Sequence, residues 1–276
     1  MKRTAIHAAG FMFMVCHAAG LMLMACLVLS SCTALRHHSK TGLDDSALRL
    51  GTVQLSSDLI VRQLAEGIWL HTSTKNIEQY GGPVPSNGLL VVTSDGAVLI
   101  DTAWTDEQTT RLLDWAEGSL GAKVRLLIVT HAHEDRLGGI RAAHARGVVS
   151  HGSDLTGTLA QKGGWPPLME LFSGQRSLQV GNRQMELFFP GHGHSPDNIV
   201  VWLSRERILV GGCLVKDLHA NNLGNLADAD INSWKNAIIK VMTKYPGVDL
   251  IIPGHGEPGG ENLLKHTLML LNRVHP

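Results

Sequence analysis

The stretch Thr130-His131-Ala132-His133-Glu134-Asp135-Arg136 follows directly on the apolar run Val124-Arg125-Leu126-Leu127-Ile128-Val129. That run reads as a buried β-strand, the pattern of a strand covered on both faces. Two imidazoles and a carboxylate then stand at alternate positions just past the strand's end. These are donors that zinc accepts, and the alternation suits a turn that aims its odd-numbered side chains into one cleft. A polar turn with two solvated histidines would look the same in isolation, so the rest of the chain has to decide.

Three more apolar runs end in the same way. Met185–Pro190 leads to Gly191-His192-Gly193-His194-Ser195, Arg207–Val210 to Gly211-Gly212-Cys213, and Asp249–Pro253 to Gly254-His255-Gly256. Each is a short β-type run, then glycine, then a residue able to bind metal. Glycine lets the backbone turn where a side chain would clash. Ligands gathered at one end of several strands are how α/β sheets build sites.

The amino terminus reads as an export signal. Lys2 and Arg3 precede an apolar stretch, Ala18–Leu29, that is short for a membrane span and suited to a signal peptide over 1–31. Leu29-Ser30-Ser31-Cys32 resembles a bacterial lipobox, in which Cys32 becomes the acylated first residue. Leu23-Met24-Ala25-Cys26 is a weaker match, and ordinary cleavage near Ser31 without lipid is the alternative. Cleavage before Cys32 leaves 245 of the 276 residues, carrying 22 basic and 24 acidic side chains. That is enough for one domain with a large core, and without a basic patch it points away from nucleic acid. With Cys16 and Cys26 removed and Cys32 blocked, Cys213 is the one thiol left for the folded domain, so no internal disulfide is expected. Zinc ligation would account for a lone cysteine in an oxidising compartment; burial as a small hydrophobe is the competing account.

Residues 32–58 read as a polar tether, and 59–276 as the folded domain. Strands are expected at Leu59–Gln63, Ile68–Thr72, Gly88–Thr93 and Ala97–Asp101, with Ser94-Asp95-Gly96 as a hairpin turn. Helices are expected over Asp106–Leu120 behind a Thr105 cap, over Gly138–Arg146, after Ser153, after Asp230, and over Leu263–Leu271. Ser73–Pro85 and Leu214–Ala229 look like loops that could wall a cleft. The order of these elements implies sheets with helices outside, an α/β class.

The set His131-x-His133-x-Asp135, His194, Cys213 and His255, in that order, resembles the metallo-β-lactamases with a three-histidine site and an Asp-Cys-His site. Asn87-Gly88-Leu89, Asp101-Thr102-Ala103-Trp104, Gly224-Asn225 and Pro253-Gly254-His255-Gly256 also look like that family, and the likeness runs from about residue 60 to the end. The resemblance implies an αβ/βα four-layer sandwich with the site at its edge, and two zinc ions per chain. His131, His133 and His194 would hold one ion, and Asp135, Cys213 and His255 the other. Three neutral imidazoles leave a fourth position for water, whose pKa zinc lowers to about 7. Hydroxide would then attack the β-lactam carbonyl of penicillins, cephalosporins and carbapenems. Two zinc ions less Asp135, Cys213 and hydroxide leave a formal charge of +1, suited to an anionic substrate.

The same resemblance gives Lys216 the substrate carboxylate and Asn225 the carbonyl, and allows Asp135 a part in orienting the nucleophile. Asp101 and Arg136 would support the ligands. Arg136 directly after Asp135, together with Cys213, separates the chain from glyoxalase II-like and RNA-processing relatives. His192, His71, His151, His219 and His266 read as neighbours, core or surface residues rather than ligands; Trp104 borders the site or lies in the core, and Glu134 faces solvent or supports a ligand. A zinc hydrolase of thioesters or lactones, and a non-catalytic zinc-binding lipoprotein, are the competing functions. The expected form is a periplasmic monomer tethered by lipid on Cys32. Thr33 and Ala34 lack an aspartate retention signal, which favours the outer membrane.

Overall fold

In the computed structural model, which describes residues 50–274, eight strands align in chain order: β1 (Leu50–Ser56), β2 (Leu59–Ala65), β3 (Ile68–Ile77), β4 (Gly82–Thr93), β5 (Gly96–Ile100), β6 (Val124–Ile128), β7 (Val149–Ser153) and β8 (Glu170–Phe172). Neighbours from β1 to β5 are antiparallel. From β5 to β8 they are parallel, because helices form the crossovers. These helices are α1 (Asp106–Leu120), the short α2 (Glu134–Leu137) and α3 (Ile140–Ala145), and α4 (Asp154–Lys162). A second sheet contains β9 (Gln175–Val180), β10 (Arg183–Phe188), β11 (Val200–Leu203), β12 (Ile208–Gly212) and β13 (Leu250–Pro253), in the order β13-β12-β11-β10-β9. Its one parallel pair, β12 and β13, is bridged by α5 (Ile231–Lys244), and α6 (Asn262–Val274) closes the chain.

The period-two alternation of each strand sorts its side chains into layers. Leu89, Val91, Val98 and Ile100 meet Met185, Leu187, Ile208, Val210 and Ile252 between the two sheets. Their neighbours Leu90, Ala97 and Leu99 face the other way, onto Leu112 and Ala116 of α1, Ile140 of α3 and Ala160 of α4. Leu209 and Ile251 in turn face Trp234 and Ile238 of α5 and Leu264 and Leu271 of α6. The result is helix, sheet, sheet, helix: the αβ/βα sandwich expected above.

Thr105, Ser153 and Asp230 cap α1, α4 and α5 as expected, each side-chain oxygen accepting a backbone N–H in the first turn. Such a cap contributes about 1 kcal/mol. Other expectations need correction. The segment 32–58 was expected to be a tether throughout, yet Leu50–Ser56 pairs with β2. Backbone bonds to the free edge of β2 and the packing of Leu55 on the core suffice to hold it. The expected leader 1–31, Cys32 and the rest of the tether lie outside the described residues.

Ser73–Pro85 is a hairpin rather than a loop, with β3 and β4 paired out to Ile77 and Gly82. β5 covers β4 only over Leu89–Thr93, so Pro83 and Pro85 can direct their missing N–H to an unpaired edge. The helix expected over Gly138–Arg146 is split, with α2 starting at Glu134 and α3 running over Ile140–Ala145. At the break, a Cβ on Gly138 would lie 1.9 Å from Trp104 O, and one on Gly139 1.8 Å from Thr109 Oγ1. The backbone itself is therefore packed against the start of α1. Besides β1, four further strands, β7, β8, β9 and β11, had not been expected.

Candidate metal centre

Parallel pairing puts the carboxyl ends of β5 and β6 on one side of the first sheet, and those of β12 and β13 on one side of the second. β10 is separated from β12 by one antiparallel strand, so it points the same way. The four predicted donor-bearing turns thus meet at one edge of the sandwich. His131 Nε2 lies 3.1 Å from His133 Nδ1, which lies 3.3 Å from His194 Nε2. The three rings stand nearly perpendicular to one another. Beside them, Asp135 Oδ2, Cys213 Sγ and His255 Nε2 close a triangle with sides of 3.4, 3.4 and 3.2 Å. The donor atoms of His131, His133 and His194 fall within 4.8 Å of one another, and so do those of His131, Asp135 and Cys213. His131 Nε2 therefore lies near both clusters.

The chemistry of these donors fits zinc. Burial holds the His131 and His194 imidazoles well below the usual histidine range, so they are neutral and offer lone pairs. Lone pairs that converge at 3.1–3.3 Å are placed where a single cation could accept them. At the second group, desolvation opposes charge on His255, but Cys213 and Asp135 outweigh it and lift the imidazole to about 10. A proton is drawn to the place a metal cation would take. Burial would raise the Asp135 carboxyl, yet Arg136 and His255 hold it well below the usual range.

Supporting groups orient each donor. His133 Nε2 meets Asp228 Oδ2 at 3.1 Å, and His255 Nδ1 meets Pro85 O at 2.7 Å, fixing which ring nitrogen faces inward. Arg136 is fully buried and donates to Asp135, Asp101, Cys213, Asn87 O and Gly254 O. Asp101 adopts a left-handed backbone with φ of 60°, a conformation costly outside glycine. Its carboxylate accepts from Thr130 N at 2.7 Å and from Thr130 Oγ1 at 2.8 Å, securing the residue before His131. Burial lifts the Asp101 carboxyl to about 6, even against Arg136.

His71 lies beneath this layer, buried, with Nε2 on Asp101 O. Desolvation, helped by Arg136, lowers it to about 4. A group held neutral in the fold takes up a proton first in the unfolded chain. Stability is therefore expected to fall as pH drops from about 6.5 to about 4, by up to about 3 kcal/mol. His71→Gln keeps an N–H donor for Asp101 O and should flatten this acid limb. Urea unfolding of both proteins at pH 7 and pH 4.5 measures the difference, and parallel losses would remove His71 as the cause.

A family model described as the metallo-beta-lactamase superfamily matches residues 81–255. The chain is 44% identical over 222 residues to the metallo-beta-lactamase type 2 of Bacillus cereus, covering 80% of this chain and 83% of that one. This chain belongs to the metallo-beta-lactamase superfamily. Solved structures agree. A metallo-beta-lactamase from Pontibacter korlensis has a TM-score of 0.75 at 44% identity, covering 78% of this chain and 99% of its own. The metallo-beta-lactamase FIM-1 from Pseudomonas aeruginosa, solved in a mono-zinc form, has a TM-score of 0.74 at 35% identity, covering 81% and 100%.

Metallo-beta-lactamase membership carries zinc binding with it, in keeping with the donor groups above. Four of the donors, His133, Asp135, His194 and His255, line a cleft of about 500 Å³ that Tyr80, Trp104, Lys216 and Asn225 help to wall. Lys216 Nζ sits 5.4 Å from the centre of the Trp234 ring; desolvation lowers its pKa, although Cys213 and Asp135 pull the other way. Asn225 Oδ1 accepts from Ala227 N at 3.0 Å. The Leu214–Ala229 segment is irregular, as expected, and forms one wall.

Among the histidines set aside earlier, His71 and His151 are buried in the core, His219 is exposed, His192 binds Asp228 O and His266 binds Ala220 O. Glu134 pairs with Lys75. Trp104 is both core and cleft wall. Sequence reasoning missed Asp228 and Pro85. An aspartate two residues before the Asp230 cap carries no signal of its own, and a backbone carbonyl carries none at all.

Proposed function

We propose that this metallo-beta-lactamase opens β-lactam rings by zinc-dependent hydrolysis of the amide bond, on penicillins, cephalosporins and carbapenems, and so confers resistance to them. The observation that carries the reading is the convergence of six donor groups from four strand ends under a cleft that also holds Lys216 and Asn225. His131, His133 and His194 would hold one zinc ion, and Asp135, Cys213 and His255 a second, giving two per chain. Zinc, when bound, supplies a Lewis acid and lowers the pKa of water to about 7, which makes hydroxide available at neutral pH.

The chain's own groups do the rest. The Lys216 ammonium draws the substrate carboxylate into the cleft. Asn225 donates an amide N–H to the lactam carbonyl oxygen, where negative charge grows. The Asp135 carboxylate accepts a hydrogen bond from the attacking water and orients it. A C–O bond forms at the carbonyl carbon, the C–N bond breaks, and the nitrogen leaves carrying a proton from the consumed water. Asp101 and Arg136 keep the donors in place throughout.

Steady-state turnover of a chromogenic cephalosporin, with and without chelator, tests this. Turnover that chelator abolishes and added zinc restores is the expected result; no chelator-sensitive ring opening would end the β-lactam reading. We further propose a monomer held at the periplasmic face of the outer membrane by lipid on Cys32, supported by the Leu29-Ser30-Ser31-Cys32 sequence after a basic start and an apolar stretch. Mass spectrometry of the membrane fraction should return an acylated Cys32 as first residue, and any other mature terminus refutes the anchor.

A further inference from the structure

Asp197 lies three residues after His194, and its side chain is 1% exposed. One carboxylate oxygen, Oδ2, accepts the Ala132 N–H at 2.8 Å; the other, Oδ1, meets no donor. Its two acidic counterparts at this edge, Asp101 and Asp135, are both paired with Arg136. No arginine or lysine takes that place for Asp197 among the ion pairs of the described residues. A buried carboxylate with a single backbone donor is expensive, so something else must offset it.

Its position names the compensating charge. Ala132 is the residue between His131 and His133. Two residues beyond Asp197, Ile199 N donates to Thr130 O at 2.8 Å. One short segment therefore grips the chain on both sides of His131, and that segment begins at His194. Two further buried polar atoms here, His194 Nδ1 and Ser195 Oγ, are also without a partner. The cross-tie spans 65 residues of sequence and joins the loop carrying two of the imidazoles to the loop carrying the third.

We propose that Asp197 is a positioning residue for zinc. It locks the two-histidine turn onto the loop of His194, and its negative charge is offset by the metal that the three imidazoles hold. The inference rests on the assignment of His131, His133 and His194 as zinc ligands.

Asp197→Asn keeps the shape and an oxygen for Ala132 N–H but removes the charge, whereas Asp197→Ala removes both. Zinc affinity, read by competition with a chromophoric chelator, is expected to fall at least tenfold in Asp197→Asn. The thermal midpoint of the chelated protein should stay unchanged or rise, because the unpaired charge is gone. Asp197→Ala should lose affinity and thermal midpoint together. Native-like zinc affinity in Asp197→Asn overturns the proposal. So does a drop in its chelated midpoint equal to that of Asp197→Ala, which would mark a purely structural residue. A His131→Ala chain that kept its full zinc content would instead remove the ligand assignment, and Asp197 with it.

Discussion

Arg136→Ala is expected to destabilise the folded domain by about 3–5 kcal/mol, the cost of stranding buried charges, and to strip metal from the Asp135, Cys213 and His255 group. The guanidinium has no solvent exposure. It lies 2.7 Å from Asp135 Oδ2, 3.2 Å from Asp101 Oδ2, 3.2 Å from Cys213 Sγ and 2.9 Å from Gly254 O. Desolvation works against its charge, but Asp135, Cys213 and Asp101 keep it protonated. Alanine would take the counter-charge from two buried carboxylates, Asp101 and Asp135, and one donor from each of Asn87 O and Gly254 O. Arg136→Lys keeps the charge but not the planar fork, so a partial loss is expected. Urea unfolding with and without zinc separates the two parts of the effect. A loss under about 1 kcal/mol for alanine would show that the surrounding acids are satisfied by other means.

Gly254→Ala should cripple the same group of donors with little effect on the three histidines. A Cβ there would lie 2.5 Å from Cys213 Sγ, 2.7 Å from Cys213 N and 2.8 Å from Arg136 Nη2. One of these is backbone and the guanidinium is held by five acceptors, so neither can yield cheaply. Overpacking of this kind costs about 1–3 kcal/mol. Metal analysis is expected to find the zinc content lowered by about half on the two-ion assignment, with turnover reduced by about 100-fold, the scale of a 1 Å misplacement at a site. Full zinc content in Gly254→Ala would mean that the strand end relaxes without moving Cys213.

The donor set was legible in the sequence because local rules create it. An apolar run that ends in glycine or in a polar alternation marks a strand end, and His131, His133, His194, Cys213 and His255 each stand at such an end. Arg136 and Asp101 were also flagged, on resemblance. The hairpin over Ser73–Pro85 was misread because its glycines and prolines signal a loop, while tolerance of them depends on a strand edge that only the assembled sheet leaves unpaired. β1 was lost to the tether for a related reason: a polar edge strand is held by backbone bonds to a neighbour, and these leave no mark in composition. The split between α2 and α3 needed the close approach of Gly138 and Gly139 to Trp104 and Thr109, contacts with no counterpart along the chain.

What the amino-acid order determined by itself is the inventory: which residues can donate to a metal, which strands carry them, and which helices are capped by Thr105, Ser153 and Asp230. Periodicity and capping act within a few residues, so they can be read locally. The tertiary structure alone decided the partners. It put His131 near both donor groups, gave His133 its Asp228, set Arg136 against Asp101, Asp135 and Cys213, and left Asp197 with one backbone donor. Those relations join residues as many as 118 positions apart, as in the bond from Arg136 to Gly254. They exist only once two sheets have packed face to face and burial has made each unpaired charge costly.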